Sequence, residues 1–201
     1  ERAGVRRVLQ ISALGAEDSA FSPYHLSKKV ADDCLRSLDL DWFVLRPSLI
    51  YGRGGGSAEL FMRLAALPMI PVIENGQQRL QPVHISDVVA TAMHALIVPE
   101  GRRTLDIVGK ETISFADWLR KMREVQGLRQ APFLRVPFGI AMACAQLGRH
   151  FNPIFQPDNL RMLKTGYWAD PGPVEKFLGR PLRCSAPPLF FTDATSFGSA
   201  S

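Results

Sequence analysis

The chain has 201 residues, 46% of them hydrophobic and 21% charged, the composition of a globular, core-forming protein of one domain or one and a half. Its net charge of +5 is modest, and no basic run is interleaved with aromatic residues, which argues against a nucleic-acid surface. No apolar run reaches the roughly 18–20 residues that a membrane span needs; the longest, 136–147, is broken by Pro137 and Gly139.

Residues 5–11 are predicted to form a buried strand that delivers Ser12 at its C-terminal end. A helix is then predicted over 23–38, with Ser22 as N-cap and Pro23 in the first turn, where its missing N–H is harmless. At about 100° per residue, Leu26, Val30, Ala31, Cys34, Leu35 and Leu38 fall on one apolar face, expected to point inward. His25, Lys29, Asp32, Asp33 and Arg36 fill the opposite arc, expected to face water. Tyr24 and Lys28, four residues apart, lie side by side at the margin of the apolar face.

That pair has a chemical use. A phenol is protonated at neutral pH, and a neighbouring ammonium favours its phenolate. Such a tyrosine can exchange a proton with a hydroxyl or carbonyl, while Ser12 across the cleft orients the same oxygen. The same spacing also describes an ordinary edge tyrosine beside a lysine whose stem lies along apolar surface.

A second strand is predicted over 42–46, ending at Pro47. Ser57 can cap a helix over 58–67 with Glu59 in its first turn and Leu60, Phe61, Leu64 and Leu67 as its apolar stripe. Residues 72–73 and 79–81 flank Asn75-Gly76, which suggests a hairpin. A helix over 88–98 should turn Val88, Val89, Ala92, Ala95 and Leu96 inward. Asp87 would cap that helix, and His84 would pack or bond locally. A strand over 104–109 follows, then a helix opened by Ser114-Phe115-Ala116-Asp117 and closed near Gly127, with Phe115, Trp118, Leu119 and Met122 inward. A short strand at 133–137, a helix to about 147 and two short helices within 151–184 complete the chain, and a tail is expected from 186. The loop 52–56 is glycine-rich. Cys34, Cys144 and Cys184 are odd in number and widely spaced, which reads as free thiols in a reducing compartment with no metal site.

The order strand–Ser–loop–Tyr-x-x-x-Lys helix–strand–Arg-Pro resembles the extended and atypical short-chain dehydrogenase/reductases. The likeness runs through Ile11-Ser12-Ala13-Leu14-Gly15-Ala16, Tyr24-His25-Leu26-Ser27-Lys28, Leu45-Arg46-Pro47-Ser48-Leu49-Ile50-Tyr51-Gly52 and Gln81-Pro82-Val83-His84-Ile85-Ser86-Asp87-Val88-Val89. With Asp158-Asn159-Leu160-Arg161-Met162-Leu163-Lys164-Thr165 it points to the branch of nucleotide-sugar epimerase-like proteins and the nucleotide-binding accessory subunit of respiratory complex I.

The resemblance implies an α/β fold: the C-terminal part of a Rossmann-type doubly wound parallel sheet, plus a small mixed α/β subdomain on the substrate side. It implies NAD or NADP as cofactor, with Tyr24 as general acid/base, Lys28 lowering its pKa and holding the nicotinamide ribose, and Ser12 orienting the substrate oxygen. Pro47, Ser48 and Leu49 would line the nicotinamide. Arg46, Tyr51, Gln77, Arg79 and His84 are substrate-side candidates. Residues 1–110 would belong to the cofactor domain, with 57–82 inserted toward the substrate, and 111–185 to the substrate subdomain.

A dinucleotide fold opens with a Gly-x-Gly-x-x-Gly turn and carries a ribose-reading residue some twenty positions on. Neither is present in the 201 residues, so the resemblance implies the C-terminal portion of a longer protein. Its function would be that of an NAD(P)-dependent oxidoreductase or nucleotide-sugar epimerase/dehydratase-like enzyme, weak or inactive as this piece alone. The competing reading is a non-catalytic NAD(P)H-binding structural or assembly protein of the complex I accessory type. Nucleotide sugars, flavonoid- or steroid-like ketones and quinone-related compounds are the substrates the superfamily offers. A small-molecule partner, a cytoplasmic or membrane-peripheral location, and self-association through an exposed sheet edge complete the expectations.

Overall fold

The computed structural model describes residues 4–52, 55–148 and 157–185. In chain order it runs β1 (Arg7–Ile11), α1 (Pro23–Ser37), β2 (Asp41–Pro47), β3 (Ile50–Tyr51), α2 (Gly56–Ala66) and β4 (Ile70–Ile73). Then come β5 (Arg79–Leu80), β6 (Val83–His84), α3 (Ile85–Ile97), β7 (Arg103–Ile107), β8 (Ile113–Ser114) and α4 (Phe115–Val125). The last four elements are β9 (Phe133–Val136), α5 (Phe138–Gly148), α6 (Pro157–Thr165) and α7 (Gly172–Leu178).

β1, β2 and β7 form a parallel sheet in that spatial order, with Ile11 opposite Leu45 and Arg46 opposite Asp106. Parallel neighbours need a crossover, and α1 supplies it between β1 and β2. Phe43, Val44 and Leu45 in the middle strand are fully buried, as an apolar run covered on both faces should be. The ladder continues past the strand ends: Ser12 N–H donates to Leu45 O at 2.7 Å, Leu14 N–H to Pro47 O at 2.9 Å and Ser48 N–H to Ile107 O at 3.0 Å. The C-terminal edge of the sheet therefore holds Ser12–Leu14 and Pro47–Ser48 in fixed positions.

Three smaller pairings, β3–β6 and β4–β9 (parallel) and β5–β8 (antiparallel), frame the other half. One core cluster gathers Phe43, Leu45, Val83, Val88 and Ile107 with Val174 of α7. The other gathers Tyr51, Ile70, Phe115, Trp118, Leu119 and Met122. Each such fully buried side chain contributes roughly 1.5–3 kcal/mol relative to exposure. The parallel sheet with its crossover helix, and the mixed α/β half beside it, are the Rossmann-type architecture the motifs implied.

Local signals set the helix ends. Ser22 Oγ accepts from His25 N–H at 3.1 Å to start α1, and Ser114 Oγ accepts from Asp117 N–H at 3.1 Å to start α4. Gly179, at φ +66°, closes α7.

Several expectations are corrected. α1 is rotated from the expected orientation: His25 and Asp32, expected to face water, are buried, whereas Leu26 and Val30 are exposed, Val30 by 68%; Leu35 is buried as expected. Residues 72–81 do not form a hairpin, because β4 pairs with β9 and β5 with β8. The turn between β4 and β5 passes through left-handed Glu74 and Gly76. In α3, Val89 and Leu96 are exposed while Val88 and Ala95 are buried. His84 rather than Asp87 is its N-cap, its Nδ1 accepting from Ser86 N–H at 3.2 Å. The buried Asp87 instead accepts from Arg180 and from Arg183 N–H, tying α3 to the segment after α7. α2 starts from Gly55 without a side-chain cap, and Leu67 at its C-terminus is exposed. Residues 53–54, in the glycine-rich loop, and the expected tail from 186 lie outside the described residues.

Candidate active site

Beyond the C-terminal edge of the β1–β2–β7 sheet, a cavity of about 990 Å³ opens between that edge and helices α2, α5 and α6. This is the upper end of the roughly 300–1,000 Å³ typical of small-molecule sites. Ser12, Tyr24 and Lys28 all line it, as do Pro47, Ser48, Leu49 and Tyr51.

Each of the first three is positioned by a different device. Ser12 sits at the end of β1, buried, and donates its hydroxyl to Asp32 Oδ2 at 2.6 Å. Asp32 is itself fully buried on α1, with the Arg46 guanidinium 3.6 Å away. Tyr24, in the first turn of α1, is half exposed at the cavity mouth. Lys28 stands one turn further on and donates from Nζ to Ile11 O at 2.9 Å, with its ammonium 6.0 Å from the Tyr24 ring centre. The lysine is thus tied to the strand that carries Ser12.

Burial holds the Tyr24 phenol above its ordinary range. Beside it, burial lowers His25, opposed by the hydrogen bond its ring donates to the Leu14 backbone and by the charge of Glu17. The His25 ring meets Tyr24 at 5.4 Å and Tyr167 edge-on at 4.9 Å. Tyr167 packs over Gly15, whose φ is +92° and whose place a Cβ could take only by entering the Tyr167 ring. The mouth is therefore walled by a tyrosine–histidine–tyrosine stack.

The nicotinamide-side candidates Pro47, Ser48 and Leu49 lie on the cavity wall, and Ser48 Oγ donates to Gln81 O at 2.5 Å. Of the substrate-side candidates, Tyr51 is on the wall. Arg46, Gln77, Arg79 and His84 are not among the lining residues. Arg46 lies beneath Ser12 with Asp32, Gln77 sits on the exposed turn after Asn75, and Arg79 stacks on Trp168 at 5.6 Å. His84 is buried behind Tyr51, the rings 5.1 Å apart.

Asp32, His25 and Tyr167 were missed. Asp32 follows Lys28 by four residues, as Lys28 follows Tyr24, so a helical stripe at positions 24, 28 and 32 was the available signal. Nothing local marks Tyr167, which arrives from 140 positions away.

The donor set fits one end of a nicotinamide dinucleotide. A phenol, an ammonium with further N–H groups and a serine suit the ribose hydroxyls and a reacting oxygen. Among the described residues the glycines that lead into a helix, Gly55 and Gly56, precede α2 and not the crossover helix α1.

No family model matches the chain. Among curated proteins it is similar to a ceramide reductase of Caulobacter vibrioides, 28% identical over 68% of this chain and 43% of the relative. It is also similar to subunit 9 of the NADH dehydrogenase 1 alpha subcomplex from Arabidopsis thaliana mitochondria, 26% identical over 72% of this chain and 37% of the relative. The chain thus spans less than half the length of these relatives. Among solved structures, the dTDP-glucose 4,6-dehydratase DesIV of Streptomyces venezuelae, determined with NAD bound, superposes with a TM-score of 0.65. The match covers 91% of this chain and 57% of that one at 19% identity.

Proposed function

We propose that this chain, whose fold is that of the extended short-chain dehydrogenase/reductases, carries the proton-transfer and substrate side of an NAD(P)-dependent oxidoreductase site. The observation that carries the reading is the meeting of Ser12, Tyr24 and Lys28 on one cavity wall at the sheet's C-terminal edge. Tyr24, Lys28, Pro47, Ser48 and Leu49 would hold the nicotinamide end. A bound nicotinamide dinucleotide supplies or accepts the hydride. Tyr24 would handle the proton: its phenol gives one to a carbonyl oxygen on reduction, and its phenolate takes one from a hydroxyl on oxidation. Lys28 steadies the phenolate, and the Ser12 oxygen, whose proton goes to Asp32, accepts from the hydroxyl of the alcohol form. A phenol held protonated at rest suits the reductive direction.

The division into a cofactor part (1–110, with 57–82 toward the substrate) and a substrate part (111–185) belongs to the same proposal. Three exposed free thiols agree with a reducing, cytoplasmic compartment. Among the described residues no helix is long and apolar enough to cross a membrane. Self-association would run along β1, which pairs with β2 alone among the described strands and leaves its other edge open. Val5 and Ile11 are exposed beside that edge.

The test is Tyr24→Phe in the intact protein, with NADH and NADPH binding followed by fluorescence and turnover followed by absorbance over a panel of ketones and nucleotide sugars. Loss of turnover with cofactor affinity kept is the expected result. Wild-type turnover in the variant would remove Tyr24 from the chemistry. Cofactor binding without turnover in the wild type would favour the structural role suggested by the NADH dehydrogenase relative.

A further inference from the structure

We infer that the natural occupant of the cavity is an elongated, neutral, apolar molecule that presents a single hydroxyl or carbonyl to Ser12 and Tyr24, and not a nucleotide sugar. The inference rests on the oxidoreductase reading above and names its substrate class.

Charge is the first argument. Among the described residues that line the cavity, Lys28 is the only charged one, and its ammonium is already bonded to Ile11 O. A nucleoside diphosphate brings two phosphates, which proteins meet with guanidinium groups, several ammonium groups or a cluster of backbone N–H donors. An anion-favouring feature in the wall is the start of α2 at Gly55–Gly56, one helix end without a lining cation beside it; the Glu59 carboxylate of its first turn is exposed and paired with Arg63.

The second argument is what the rest of the wall offers. Away from the mouth it is built from Leu60, Phe61 and Leu64 of α2, Ala141 and Ala145 of α5 and Leu163 of α6. The Gln81 amide on the wall is turned to the protein itself: its nitrogen donates to Gly109 O and Ala169 O, and its oxygen accepts from Ala169 N–H. Such a wall rejects charge and sugar hydroxyls alike, since neither would recover the hydrogen bonds lost from water. The third argument is size. The small side chains Ala141, Cys144 and Ala145 leave space open along α5, beyond the residues that would hold the nicotinamide end.

Cys144 makes the inference testable without cofactor or turnover. It is a free, exposed thiol on the cavity wall, whereas Cys34 is an exposed thiol on α1 away from it. The chain is titrated with neutral alkan-2-ones of eight to twelve carbons, and separately with UDP-glucose, by calorimetry. Alkylation of Cys144 and Cys34 by iodoacetamide is followed by mass spectrometry at saturation. The ketones are expected to bind about fourfold tighter per added methylene. They should slow Cys144 alkylation at least about fivefold while leaving Cys34 unchanged, and Ala141→Phe should weaken the longest ketone about tenfold. UDP-glucose should give neither heat nor protection. Protection of Cys144 by UDP-glucose, absence of ketone binding, or ketone binding without protection of Cys144 would each overturn the inference. Ketone binding and protection in a protein that reduces nothing would leave it standing while the oxidoreductase reading fails, and turnover of UDP-glucose would do the reverse.

Discussion

Ser12 hands its hydroxyl proton to Asp32 Oδ2 at 2.6 Å, so the serine oxygen can offer the cavity a lone pair but not its proton. An acceptor at that point suits a donor opposite it, either the protonated Tyr24 phenol or the hydroxyl of an alcohol. The carboxylate that imposes this is fully buried and faces Arg46, which β2 brings to the C-terminal edge of the sheet. The chemistry expected of Ser12 thus depends on a helix residue twenty positions away and on a strand residue fourteen beyond that.

Asp32→Ala should therefore destabilise the fold by about 3 kcal/mol, because it removes the carboxylate paired with the mostly buried Arg46 and leaves Asp106, itself partly buried, as the remaining one nearby. Asp32→Asn keeps the shape and a hydrogen bond to Ser12 and should lose about half as much. Urea titration followed by circular dichroism checks both, and equal midpoints for wild type and Asp32→Ala would show that the pair is not structural.

Asp106, opposite Arg46 in the register, behaves in the contrary sense. Burial raises its carboxyl above the ordinary range, although Arg46 pulls it down. A folded-state pKa above the unfolded one means stability that is complete below the unfolded value and is lost as pH rises through the folded one. Asp106→Asn should remove that loss, so the variant should gain on the wild type between pH 4 and pH 7. Thermal melts across that window test it; a variant less stable than wild type at pH 7 would mean that the Asp106 charge is needed.

The strands β1, β2 and β7 and the starts of α1 and α4 were legible because their determinants are local. Ser22-Pro23 and Ser114-x-x-Asp117 are capping patterns, and Phe43-Val44-Leu45 is a continuous apolar run. The orientation of α1 was not legible. Its buried residues His25, Asp32 and Leu35, with the partly buried Lys28 beside them, are mostly polar because this face meets Ser12 and Arg46, whose identity no helical period reveals, while Leu26 and Val30 sit outward. The Asn75-Gly76 turn misled for a related reason. The strand before it finds its partner at Phe133–Val136 and the strand after it at Ile113–Ser114, and tertiary pairing overrides a local hairpin signal.

Gly15 should prove hard to replace. Its φ of +92° lies where a side chain is strained, and an added Cβ would enter the Tyr167 ring. Gly15→Ala is expected to lower stability by about 2 kcal/mol. It should also push Tyr167 off His25, which a change in the near-ultraviolet circular dichroism of the tyrosines would report. An unchanged spectrum would mean that the ring stack at the mouth is not held from this side.

The last expectation concerns the phenols, because burial raises all three tyrosines of the chain, Tyr24, Tyr51 and Tyr167. For Tyr51, packed between the His84 and Trp118 rings, the effect is largest, and the Asp87 carboxylate adds to it. A raised phenol binds its proton more tightly in the folded state than in the unfolded one. The associated stability is complete below the unfolded value near 10 and is lost as pH rises toward the folded values. Absorbance of tyrosinate at alkaline pH should therefore lag behind that of the urea-unfolded chain, and the chain should melt at lower temperature as pH passes 10. Tyr24 is half exposed and should ionise before Tyr51, so Tyr24→Phe should remove the early part of the curve and leave a later step coincident with unfolding. A tyrosine ionising below pH 9 in the isolated chain, and lost in Tyr24→Phe, would show instead that the Lys28 ammonium outweighs desolvation at the mouth of the cavity.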